Sequence, residues 1–182
     1  MKVFSAVILG VILGAILTAA SVYFYFATGA APVATSATPM PFERMLAHKA
    51  LDARIDKELP RKVPMAADET NLVAGAQIYR DHCAVCHGLP GQPESAIAAG
   101  EYPHPPKLME GTGVTDDEPG ESYWKVANGI RLTGMPGFGR RLSETQMWQV
   151  SLLVASADKL PPAVKTILAS VPLAPAPVEP PK

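Results

Sequence analysis

Five consecutive residues constrain this chain more than any others: Cys83-Ala84-Val85-Cys86-His87. They hold both of its cysteines. A C-x-x-C-H run is the attachment pattern of a c-type haem. The two thiols can add to the two vinyl groups on one porphyrin edge. Their three-residue spacing puts both sulfurs on one turn of backbone. The next residue, His87, then lies under the ring, where an imidazole nitrogen can bind the iron. On this reading the fold must wrap a flat apolar disc. Two other readings stay open. The pair can be a redox-active disulfide, although no βαβ pattern surrounds it. A structural zinc site needs four ligands, and only His82 and His87 stand close to the two cysteines.

A second stretch decides where the rest of the chain resides. Val3 to Ala27 is free of charged residues. As a helix it spans about 37 Å, enough to cross a hydrocarbon core of roughly 30 Å with some tilt. Lys2 and the amino terminus favour an inside N-terminus, with the remainder exported. Tyr23-Phe24-Tyr25-Phe26 falls where an interfacial aromatic belt would lie. The alternative is a cleaved signal peptide, with Gly29-Ala30-Ala31 as a small-residue cleavage site, but its apolar core would be about 7–15 residues. The expectation is a retained single-pass anchor over 1–29. It sits in the inner membrane, with the haem domain on the periplasmic side.

Between anchor and motif, 30–67 reads as linker around a charged helix at about 42–59. That helix has only a weak apolar stripe and is either a solvated spacer or a docking helix for a partner. Asp68 and Thr70 offer caps for a helix over about Asn71–Asp81. Leu89 to Gly120 reads as loop, rich in Gly, Pro and acids. Glu121–Asn128 reads as a short helix ended by Gly129 as a left-handed cap. Ser143 and Gln146 form a capping box for a helix to about Ala157. The domain is expected over 68–160. A short helix and a Pro-rich disordered tail follow over 161–182.

A closed haem needs a ligand opposite His87. Among seven methionines, Met135 stands out. It lies in Gly134-Met135-Pro136-Gly137-Phe138-Gly139, where glycines let backbone approach the macrocycle and Pro136 fixes the loop's direction. Methionine is a soft donor that raises the reduction potential. Met147 fits helix packing better, and Met109 lies close to Leu108. His104 is the alternative distal ligand.

With these residues in view, the stretch from Asp68 to Leu160 resembles the monohaem class I cytochrome c family. The resemblance rests on the C-x-x-C-H motif, Pro106-Lys107-Leu108, Asn128-Gly129-Ile130 and the Met135 loop. It implies an all-α, cytochrome c-like small helical haem domain, here preceded by one N-terminal transmembrane helix. It implies one covalently bound haem c, with its iron between His87 and Met135. It further implies that the Pro106 carbonyl accepts a hydrogen bond from the proximal imidazole and that Leu108 packs on the ring. Pro105 can compete for the first role. Crossed terminal helices would set Gly75 and Tyr79 against Trp148. Trp124 and Tyr102 are candidate donors to a haem propionate.

Two axial ligands leave no open iron site, so the expected function is one-electron transfer, not substrate turnover. The alternatives are a permanent cytochrome subunit of a membrane dehydrogenase or oxidase, a haem peroxidase or sensor in which Met135 dissociates, and a thiol–disulfide protein. The expected partners are the membrane and redox proteins. The net charge of −1 gives no footprint for nucleic acid. From Asp68 to Leu160, seven Lys/Arg face twelve Asp/Glu. Asp116, Asp117, Glu118 and Glu121 are therefore expected to steer a basic partner. Arg131, Arg140 and Arg141 flank the Met135 loop, either as solvated surface, as counter-charges for propionates or as a docking edge.

Overall fold

A computed structural model describes residues 2–110, 115 and 117–170. The expected Pro-rich tail from Pro172, and Asp116 of the acidic group, lie outside the described residues. All regular structure among the described residues is helical. The chain forms two compact units that divide between Ala47 and His48.

The first unit is dominated by α1 (Lys2–Ala27), whose stretch Val3–Ala27 is long and apolar enough to cross a membrane. Its large apolar side chains are exposed. Thr18 and Thr28 turn their hydroxyls back onto the carbonyls of Gly14 and Phe24, so neither is left unpaired in an apolar setting. The helix α2 (Glu43–Glu58) begins in this unit and ends in the second.

The second unit is built on α3 (Glu69–His82) and α7 (Glu144–Ala155). Asp68 caps α3 by accepting from the Asn71 amide at 2.9 Å. Ser143 and Gln146 close a full capping box on α7. The two helices cross at Gly75, where a Cβ would lie 2.4 Å from the Gln149 carbonyl oxygen. No other residue permits that approach. Gln149 Nε2 also donates to Asn71 Oδ1 at 3.1 Å, holding the crossing from the side. The crossing thus differs from the expected one. Gln149 and Leu153 face Gly75, while Trp148 stacks on Tyr123 of α6 (Pro119–Asn128) with ring centres 4.3 Å apart. Tyr79 is fully buried and spends its hydroxyl elsewhere.

Leu72, Ala76, Val150 and Leu153 form the centre of the core. It runs on past Leu160 to Val164 and Leu168 of α8 (Pro162–Ala169), both almost fully buried. Both lie on one face four residues apart, so α8 closes the core instead of trailing from it. The end of α2 also packs into this unit. Ile55 is 2% exposed, and Glu58 accepts from Trp124 Nε1 at 3.1 Å. The Pro60 carbonyl reaches so close to Gly120 that a Cβ there would lie 2.2 Å away.

Candidate haem site

The motif forms α4 (Ala84–His87), a single turn that continues from α3. The amide of His87 donates to the Cys83 carbonyl at 2.9 Å, and Gly88 at φ +72° ends the turn. That compact turn is what puts the two sulfurs on one side and the imidazole next to them. Tyr79 locks its end. Its hydroxyl donates to Gly88 O at 2.9 Å and His87 O at 3.3 Å. Burial pushes that hydroxyl far above the usual phenol range, so it stays a donor.

His87 Nδ1 lies 2.7 Å from the Pro106 carbonyl oxygen. A carbonyl can only accept, so Nδ1 carries the proton and Nε2 keeps its lone pair for a metal. Burial lowers the imidazole's affinity for a second proton, with Pro106 and Glu101 pulling weakly the other way. The residue that meets His87 is thus Pro106, while the Pro105 carbonyl lies 3.0 Å from His104 Nδ1. Leu108 is half-buried against the core, as is Met109. Met109 also lines a small cavity with Pro90, Ala157, Leu160 and Leu168.

The two cysteines are not joined to each other in a disulfide. Burial pushes Cys83 up to about 12. Burial first, and then a hydrogen bond to the Glu101 carboxylate at 3.1 Å, pushes Cys86 up to about 11. Redox-active C-x-x-C pairs need the opposite, a thiolate stabilised near neutral pH. The described residues also hold no cluster of three His, Cys, Asp or Glu side chains that could bind a metal ion.

Met135 is carried by a loop that folds back onto the end of α6. Phe138 and Gly139 donate their amides to Val126 and Ala127 at 2.8 and 3.1 Å. Gly129, at φ +69° with an extended ψ, leaves room for Gly137. Thr133 braces the interior, since its hydroxyl donates to Ile130 O at 2.7 Å and accepts from the Met135 amide at 3.1 Å. Met135 itself is half-buried, and Leu132 at the tip is 91% exposed. The loop reaches the motif through Glu101. A Cβ on Gly134 would lie 2.6 Å from that carboxyl group, which also touches Cys86 Sγ. Cys86, Glu101 and the Met135 loop are therefore neighbours.

His104, the alternative distal ligand, has both ring nitrogens engaged, by Glu94 and by Pro105 O. Trp124 gives its Nε1–H to Glu58. The described acids near α6 are paired: Asp117 and Glu121 with Lys125, and Glu118 with Arg61. Sequence reasoning missed Glu101, Glu110 and Thr133. It also missed α5 (Ala96–Gly100), which Ser95 caps inside the segment expected to be loop. The Ser95 cap before Ala-Ile-Ala-Ala was the available signal.

These residues fit a haem. Two protonated thiols lie on one turn, a neutral histidine presents a free Nε2, and a glycine-walled loop bearing a thioether lies next to them. The small helical domain that holds them defines the class, a c-type cytochrome domain. Residues 70–152 match the family model described as cytochrome c oxidase, cbb3-type, subunit III. The matched region is a cytochrome c domain similar to the monohaem c-type cytochromes, and a c-type haem is its cofactor. It is 32% identical over 108 residues to a thiosulfate dehydrogenase of Stutzerimonas stutzeri (strain A1501), covering 57% of this chain. It spans only 34% of that relative's length. A chain of the reducing HAO-like protein complex of Kuenenia stuttgartiensis aligns with a TM-score of 0.47 at 24% identity, over 55% of this chain and 49% of that one.

Proposed function

We propose that this electron-transfer cytochrome is a membrane-tethered one-electron carrier. Cys83 and Cys86 hold the haem as thioethers, His87 is the proximal iron ligand and Met135 the distal one. The domain plan is an anchor over 1–29, a linker with α2, and the haem domain beyond it, on the extracytoplasmic face. The observation that carries this reading is the 2.7 Å contact between His87 Nδ1 and Pro106 O. It leaves one tautomer, with Nε2 ready to ligate.

The bound haem supplies the one-electron couple. The chain's own residues do the rest. Pro106 orients His87 and increases its electron donation. Leu108, Ile130 and Phe138 line the site with apolar surface and limit water, which favours the less charged reduced state. Thr133 sets the direction of Met135. His87 and Met135 would hold the haem iron, and the group so held would supply one-electron exchange with no position left open for a substrate.

A second reading is a permanent subunit of a larger oxidoreductase. It is favoured by the family model, which is named for an oxidase subunit, and by the enzyme name of the relative. Haem staining after denaturing electrophoresis tests the attachment. Stain should stay with the chain and vanish in the Cys83→Ala/Cys86→Ala variant. A wild-type band without stain contradicts the proposal. Migration alone or with partners, after mild detergent extraction, separates the carrier from the subunit.

A further inference from the structure

The Pro106 carbonyl must be held in place by something, and its own segment is poorly equipped to do so. Pro105 and Pro106 are consecutive residues with no N–H. The backbone there can accept hydrogen bonds but cannot donate any, so side chains have to anchor it.

Glu110 does this from the far end. Its Oε1 accepts from the Gly91 amide at 3.1 Å, and its Oε2 accepts from Lys107 Nζ at 3.2 Å. Gly91 belongs to the turn that follows His87, where the Gln92 amide returns to Leu89 O at 3.1 Å. That turn is fixed on its other side by Tyr79, through Gly88 O. One carboxylate therefore ties the segment after Pro106 to the turn after His87. His104, held by Glu94 and by Pro105 O, secures the near end of the segment.

We propose that Glu110 is a positioning residue for the proximal iron ligand: it clasps the Pro106–Leu108 segment to the Gly88–Gly91 turn and so keeps the Pro106 carbonyl on His87 Nδ1. The inference rests on His87 being that ligand. Its physical consequence is electronic. A firm Nδ1–H···O bond gives the imidazole more negative character and stabilises the oxidised iron. Loosening the clasp weakens that bond and raises the reduction potential. The Glu110 carboxyl is held below the usual carboxylate range, first by the Gly91 amide and then by Lys107, as expected of a clasp made by the anion.

The test uses the full haem-loaded protein and its Glu110→Ala and Glu110→Gln variants. Glutamine keeps an acceptor for Gly91 but loses the charge and the acceptor for Lys107. Midpoint potential is measured together with hydrogen exchange of the His87 ring N–H by NMR. E110A should raise the potential and speed the exchange. E110Q, which lacks the anion, should recover only part of either, and the haem content should be equal in all three. Unchanged potential and exchange in E110A would overturn the clasp. A wild-type His87 ring with no iron-induced shift would overturn the ligand reading, and the clasp with it.

Discussion

Each central residue here works through one specific neighbour. His87 needs Pro106, Met135 needs Thr133, and Cys86 meets Glu101. Replacing Met135 with Ala should abolish the methionine–ferric charge-transfer band and lower the potential, because a soft donor to the reduced iron is lost. Glu110 allows a pH test with a definite sign. Its folded carboxyl sits below its ordinary value. The clasp is thus fully formed above that value, and it is lost as pH falls through the folded one. The Gly91 amide shift should titrate with a midpoint below about 4.3, the ordinary glutamate value. A midpoint at or above it would contradict the clasp. At this scale the sequence was partly readable. Cys83, Cys86, His87 and Met135 stand in local motifs. Glu101 and Glu110 act across fifteen and nineteen residues, and no spacing rule reports such contacts.

Elements here are positioned by close approaches at small residues. Gly75→Ala should force α3 and α7 apart, since the clash is with backbone and not with a movable side-chain tip. Overpacking of this kind costs roughly 1–3 kcal/mol. For a domain of this size that is a drop in melting temperature of about 4–8 °C per kcal/mol. An unchanged melting temperature would show that the crossing is looser than described. Ile55→Ala should cost about 2 kcal/mol or more, because Ile55 is buried at 2% exposure. A solvated spacer helix would lose almost nothing. The helices α3, α6 and α7 were legible from caps and periodicity. The engagement of α2 was not, because its apolar stripe is weak and only its last turns are packed. Trp148 went to Tyr123 because α6, a short helix, packs on α7, and ring pairing between helices is not written in either one alone.

Over the whole molecule, an apolar helix and a haem domain are joined in one chain. If α1 is a retained anchor, the full chain should stay with membranes after alkaline carbonate washing. A chain lacking residues 2–27 should then be released while keeping its haem. Release of the full chain would favour cleavage after export. The domain's acidic excess implies a basic partner, and near α6 three described acids, Asp117, Glu118 and Glu121, share two cations, Lys125 and Arg61. Exposed charges beyond about 8 Å are largely screened at physiological salt, so unpaired local groups matter more than the total.

The proposed centre is a closed His87/Met135 haem that carries one electron. A spectroscopic redox titration of the wild type and Met135→Ala tests it most directly. The wild type should titrate as a one-electron couple and show the methionine–ferric band when oxidised, and the variant should lack the band and titrate at a lower potential. A band that persists in the variant at an unchanged potential would contradict the claim.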